Sequence, residues 1–485
     1  MHLFSILEDS AKKWPEDTAV VHDGRSLRYR DLFSAAESLA QELRALGMEE
    51  GDKVGVMFPN GPEYIAVAFA VLRIGAIVVS IPPVLKVGEV ASFAKEMALD
   101  GFCCSDRFVS LIPRAEYKNV ACRVSIFSGR DPLFLTRTRQ GVPQSERELL
   151  LEIKAATIRS SSGTTGKAKG IIVSHDSLLE RAKTYCEAPP LQKGDNVLWL
   201  RPMARPEIYA FVLQGTKIVI GDAMDTRSLA RLTRQHSVTH IYAGPMFYRM
   251  MSSEKDIAAE DLRGVRYFLS GGSALGKQIA DAFAVRYGRE IIEHYGLAEC
   301  ATVLINLSQD PSRRGSVGKP FRAEVKLVSA GGSQLDGEGT GDLLVRSPGL
   351  FDAYYKPWRL RDEVLEDGWF RTGDIARRDS DGYYWIVGRT KEVINVGGVK
   401  VFPYEVEKAL LTHPAVEEAM VFGAPEPRFG EVPHAKVKLR SGAVCVAREL
   451  LRYVNERLSV FKALRSVEFV DEIPKTVTGK PKRTG

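Results

Sequence analysis

Between Ser161 and Gly170 the chain reads SSGTTGKAKG, which gathers three glycines, four hydroxyls and two lysines into ten residues. Each type has a use around an anion. Glycine lets backbone N–H groups turn toward it, hydroxyls add donors or reach a metal, and lysine supplies charge, so the segment suits polyphosphate binding. No G-x-x-x-x-G-K-[ST] register fits it, which excludes a Walker A loop. On composition alone, a Gly/Ser/Thr surface loop is the competing reading.

This segment needs elements to hold it. The apolar β-branched runs Ala155 to Ser160 before it and Ile171 to Val173 after it read as strands. Leu32, Ala35, Ala36, Leu39, Ala40 and Leu43 have the three-and-four spacing of an amphipathic helix, which Gly47 stops. A strand at Asp52 to Phe58, a helix from Glu63 to Arg73 and a second apolar run at Ile77 to Ile81 then imply a crossover unit in a parallel sheet. The alternation recurs at Asn196 to Leu200, Lys217 to Ile220, Ser228 to His236, Thr239 to Tyr242 and Val265 to Ser270.

After about Val325 the texture changes. Glu324 to Val328, Gly341 to Arg346 and Gly382 to Val387 are short strands between Gly and Asp turns, which predicts a barrel-like or antiparallel subdomain. From Pro403 onward, helices near Tyr404 to Thr412 and Arg448 to Leu458 accompany strands near Glu418 to Phe422 and His434 to Leu439, a small α+β domain.

Bulk properties narrow the function. A chain of 485 residues with 45% hydrophobic and 26% charged residues is globular and long enough for two or three domains. The longest apolar stretch, Tyr64 to Pro82, is interrupted by Arg73 and Gly75 and reads as buried helix then strand rather than a membrane span. The first fifteen residues mix charged and apolar types with no secretory pattern, so the expected location is cytoplasmic. Cys103, Cys104, Cys122, Cys186, Cys300 and Cys445 have no metal-ligand spacing and are expected to be reduced and mostly core. A net charge of +6 without basic blocks argues against nucleic acid as a partner.

SSGTTGKAKG resembles the phosphate loop of the adenylate-forming superfamily, which includes acyl- and aryl-CoA synthetases, nonribosomal peptide adenylation domains and luciferases. The resemblance continues in order through SLRYRDL at Ser26, GGSAL at Gly271, YGLAE at Tyr295, GWFRTGD at Gly368, GRTKEVINVGGVKVFPYEVE at Gly388 and PKTVTGK at Pro474. It implies an α/β protein with a large N-terminal domain, 1–390, made of parallel α/β sheets plus a small β-barrel-like subdomain. A small mobile α+β C-terminal domain, 391–485, would follow.

By the same resemblance, Thr164, Thr165 and Lys167 hold the β- and γ-phosphates, with Ser161, Ser162, Gly163 and Gly166 completing the loop. Thr164 and Glu299 would seat Mg²⁺, for which oxygen ligands are the right chemistry. Gly271, Gly272 and Ser273 lie along adenine, Tyr295 stacks on it beside Gly296, Asp374 accepts hydrogen bonds from the ribose hydroxyls, and Arg389 contacts ribose and phosphate. Lys480 looks like the adenylation lysine, whose ammonium stabilises charge building on oxygen as a carboxylate attacks the α-phosphorus. Lys391 corresponds to the hinge, and Gly397 and Gly398 to the thiol side.

Two departures bear on substrate. Ala298 stands where many relatives carry threonine, and Arg201 to Phe211 lacks both the frequent histidine and the aspartate that binds an α-ammonium, so the expected acid has no α-amine. Ala204, Arg205, Tyr209, Tyr242, Gly244, Pro245, Met246, Gly271 and Val303 fall where relatives line the acyl tunnel. His294 reads as a satisfied structural histidine. The expected activity is an ATP-dependent acid:CoA ligase acting through an acyl adenylate. The alternatives are an enzyme loading a carrier protein's phosphopantetheine and, less favoured, a luciferase-type oxygenase or an adenylate-binding pseudoenzyme.

Overall fold

A computed structural model describes residues 2–113, 122–124, 133–137, 144–161, 169–222, 225–254 and 257–474; side chains at 122–124, 133–137, 144 and 161 are not among those described. Two compact units result: Met1–Glu324 with Arg346–Gly368, and Val325–Val345 with Trp369–Gly485.

The first unit holds two sheets of nine strands among the described residues. In one, Lys53–Met57, Ile77–Ser80, Gly101–Ser105 and Ala155–Ser161 run parallel. Strand Lys53–Met57 is buried at every position, as expected when helices cover both faces of a parallel sheet. Helix Pro62–Arg73 and strand Ile77–Ser80 are the buried helix and strand read from the longest apolar stretch. Helix Tyr29–Ala45 is followed by Gly47 at φ +78°, the left-handed conformation that lets a chain leave a helix.

In the second sheet Thr18–His22, Lys217–Ile220, Asn196–Trp199, His240–Ala243, Tyr267–Gly271 and Ile291–Leu297 are parallel, and Ala301–Ile305 turns back antiparallel on Ile291–Leu297. Helix Thr226–Gln235 starts where Asp225 accepts a hydrogen bond from the Ser228 N–H at 3.1 Å, satisfying a donor the helix cannot pair. The five cysteines whose side chains are described are buried and form no disulfide. Among the described residues no helix is long and apolar enough to cross a membrane.

The second unit contains a four-stranded sheet ordered Glu324–Val328, Gly339–Arg346, Phe370–Arg378, Tyr384–Arg389. Its pairings include antiparallel ones, one of the two forms expected, and no closed barrel forms among the described residues. It also contains a sheet centred on Gly430–Leu439, flanked by Val416–Glu426 and packed with helices Pro403–Leu411 and Ala447–Asn455 around Val406, Leu410, Val437 and Leu450. The large α/β part and small α+β part expected from the sequence are both present.

Candidate active site

Strand Ile291–Leu297 carries the start of YGLAE, and the backbone there admits only glycine at one position. The pairing with Ala301–Ile305 shifts register between Tyr295 and Gly296, and a Cβ at Gly296 would lie 1.8 Å from the Ala301 carbonyl oxygen. That contact is far inside van der Waals range, so the bulge that aims this strand end requires Gly296.

The Ala298–Glu299 backbone is clamped by a residue that sequence reading missed. Arg181, on helix His175–Glu187, donates through Nη1 to Ala298 O and through Nη2 to Glu299 O, each at 2.9 Å, and through Nε to Gly349 O at 2.7 Å. Its side chain is 1% exposed. Burial, and next the charge of Arg159, push its pKa down to about 10, so it stays protonated at neutral pH. Nothing in the helical spacing marked it, because its partners are carbonyls more than a hundred residues away.

With its backbone held, Glu299 is half-buried and its carboxylate accepts from Tyr354 Oη at 3.2 Å. A carboxylate with one neutral donor keeps lone pairs for a hard cation, so Glu299 fits the Mg²⁺ that the resemblance implies.

Gly271 and Gly272 sit where strand Tyr267–Gly271 ends. A Cβ at Gly271 would lie 2.3 Å from His294 Nε2, and Gly272 has φ +90°. The imidazole is buried, with Nδ1 2.9 Å from Thr302 Oγ1, which is in turn 2.7 Å from Tyr185 Oη. Burial, then the charges of Arg201 and Arg205, hold its pKa well below the usual value, so it is neutral. Nε2 has no hydrogen-bond partner among the described residues, so there the expected satisfied histidine is satisfied on one side only.

Beneath these glycines lies a buried charged group. Arg201 donates to Glu207 Oε1 at 3.0 Å and to Gly271 O at 3.2 Å, and both side chains are nearly inaccessible. Glu293 accepts from the Leu275 N–H at 3.0 Å, and burial raises its pKa to about 7.

Within the second unit, Asp374 and Arg389 face each other across antiparallel strands, with Nε 2.9 Å from Oδ1. Asp374 is buried while Arg389 keeps 38% of its side chain exposed. Gly397 and Gly398, at φ +58° and +87°, form the two-residue turn joining Ile394–Val396 to Val399–Val401. Two successive left-handed residues are the conformation such a hairpin needs. Lys391 lies in the single 3₁₀ turn Thr390–Glu392.

The other expected residues are distributed unevenly. Ser161 ends strand Ala155–Ser161, whereas Ser162, Gly163, Thr164, Thr165, Gly166, Lys167 and Lys480 lie outside the described residues. Ser273 follows Gly272 in the same turn. Ala204, Arg205 and Tyr209 line a recess of the first unit. Tyr242 packs in an aromatic cluster 5.1 Å from Phe211 and 5.7 Å from Trp199. Val303 is fully buried in its strand, and Gly244, Pro245 and the exposed Met246 begin helix Pro245–Ser253.

Known proteins resemble this chain along nearly its whole length. A feruloyl-CoA synthase from Amycolatopsis sp is 29% identical over 97% of this chain and 95% of the relative. A long-chain-fatty-acid–CoA ligase from Bacillus subtilis (strain 168) is 27% identical over 99% and 92%. The crystal structure of ATP-bound MatB from Rhodopseudomonas palustris has the same fold, with a TM-score of 0.86 at 23% identity over 99% of this chain and 97% of that one. Residues 7–355 match the AMP-binding enzyme family and residues 405–480 match the AMP-binding enzyme C-terminal domain, so the chain belongs to the AMP-binding enzymes.

Proposed function

We propose that the protein is an ATP-dependent carboxylic acid:CoA ligase, an AMP-forming acid–thiol ligase. A carboxylate oxygen bonds to the α-phosphorus of ATP as the bond to pyrophosphate breaks, giving an acyl adenylate. A thiolate sulfur then takes the acyl carbon and releases AMP. The observation that carries the reading is the Tyr295–Glu299 segment, clamped by Arg181 so that a carboxylate is presented at a strand end within the family match.

Each residue's part follows from its chemistry. Tyr295 offers a ring face to adenine, and Asp374 is an acceptor for ribose hydroxyls, oriented by Arg389. Thr164, Thr165 and Lys167 take the terminal phosphates, and Lys480 stabilises charge developing around the α-phosphorus. Glu299 and Thr164 would hold Mg²⁺, which supplies charge neutralisation on the phosphate oxygens. Lys391 is the proposed pivot of a 1–390 and 391–485 division, turning Gly397 and Gly398 toward the thiol after adenylation.

Coenzyme A is favoured as the thiol because the relatives named above are CoA ligases. Lys462, a residue that could meet CoA phosphates or an acidic carrier, is already 2.9 Å from Glu405. A cytoplasmic location is proposed on the free, buried cysteines. The test is carboxylate-dependent exchange of pyrophosphate into ATP across fatty and aromatic acids, followed by thioester detection with CoA and with a phosphopantetheinylated carrier. ATP cleavage that yields ADP, or no exchange with any acid, would sink the reading.

A further inference from the structure

The first unit contains a small solvent-open recess between helix Pro62–Arg73, strand Ala155–Ser161 and the segment entering helix Glu207–Leu213. Much of its wall is apolar, with Phe69, Ile208 and Tyr209 among the lining residues, but it also carries Arg159, Arg181 and Arg205 and no carboxylate.

The three guanidinium groups are not equivalent. Arg181 is committed to the carbonyls of Ala298, Glu299 and Gly349, which also puts the recess next to the YGLAE segment. Arg159 and Arg205 have no side-chain hydrogen bond or ion pair among the described residues. Glu207, the acid that acts on Arg205, is already bonded to Arg201 and does so only at longer range. Arg205 consequently has its pKa lowered to about 9, first by the charge of Arg201 and then by burial. Thr157 Oγ1, also in the wall and 8% exposed as a residue, has no partner either. Two half-buried guanidinium groups and a buried hydroxyl, with no side-chain partner among the described residues, leave donors that an anionic occupant would satisfy.

We propose that this recess selects carboxylic acids bearing a second carboxylate, which Arg159 and Arg205 hold while the first is adenylated. The proposal rests on the adenylation reading and adds the substrate class to it. The charge balance distinguishes the two kinds of acid. When the reacting carboxylate oxygen bonds to the α-phosphorus and pyrophosphate leaves with the electron pair, the acyl group loses its own negative charge. A monoacid then leaves two half-buried cations without a counterion on the acyl part, whereas a diacid keeps one through adenylation and thiolysis. Planar guanidinium groups match a carboxylate through paired N–H donors, a geometry lysine does not reproduce.

The experiment is pyrophosphate exchange with matched acids: hexanoate against adipate, and benzoate against isophthalate. The diacid of each pair should have the higher kcat/KM by about 10- to 100-fold, the span expected for hydrogen bonds to charged groups. Arg159→Leu and Arg205→Leu should each reverse that preference, mainly through the KM of the diacid, and Arg205→Lys should restore part of it. Preference for the monoacids, or an unchanged ratio in the folded leucine variants, overturns the proposal. If no acid of either kind supports exchange, the adenylation reading falls. Calorimetric titration with adipate and with isophthalate alone then decides the recess: binding of either diacid that both leucine variants abolish supports it, and no binding of either rejects it.

Discussion

The two units hold their charges in opposite ways. In the first, Arg201 and Glu207 are sealed from water and pair with each other beneath Gly271, while Glu293 is buried with a single backbone donor. In the second, Asp374 meets an arginine that keeps 38% of its side chain in solvent. A buried pair that loses one member strands a charge, whereas a half-exposed one is rescued by water. The first arrangement is therefore a condition of folding, and the second leaves its groups available to a ligand.

The sharpest way to break this contrast is Glu207→Ala, which leaves Arg201 buried and uncompensated. It should destabilise the protein by about 3–5 kcal/mol in urea unfolding, and a change below about 1 kcal/mol would show that water reaches Arg201. Lys480→Ala should instead leave unfolding unchanged and slow adenylate formation by about 10²- to 10³-fold, the size seen when a charge-stabilising donor is removed. Thiolysis of supplied acyl adenylate should persist, and an equal loss in both half-reactions would contradict the role given to Lys480.

Gly271→Ala drives a methyl group into the His294 ring and should cost about 1–3 kcal/mol, as overpacking commonly does. Glu293 gives a pH signature. Its folded pKa of about 7 lies above the ordinary 4.5, so the folded state binds the proton more tightly, and stability should fall as pH rises from 4.5 to 7. Glu293→Gln should flatten the stability profile in that window, and a slope surviving the substitution would assign it to another group. Asp374→Asn should cost only about 1 kcal/mol or less in stability. Its effect should show instead as a raised KM for ATP, so a large stability loss with unchanged KM would place Asp374 with the buried charges of the first unit.

The fold was legible where periodicity was strong. Lys217–Ile220 and Glu324–Val328 match their apolar runs at both ends, and helix Pro62–Arg73 follows from its uninterrupted apolar face. The open form of the four-stranded sheet was not legible, because closure depends on which strands pair, and short strands between turns fit either outcome. The motifs singled out Glu299, Gly271 and Asp374 as candidates, but not Arg181, whose three acceptors come from two distant segments. Nor did they separate Arg205 from Tyr242, two residues of the same expected tunnel. One lines a recess as a cation with no side-chain partner among the described residues, and the other packs into an aromatic core.

Residue order alone determined the family and the chemistry, because glycines, hydroxyls and charged groups in fixed spacing state which backbone turns and donors are available. Only the tertiary structure decided which of those charges are spent. Arg181, Arg201 and Arg205 are alike as letters. The first is committed to carbonyls and the second to a carboxylate, while the third is left beside a cavity, since partnership depends on distances that chain folding sets.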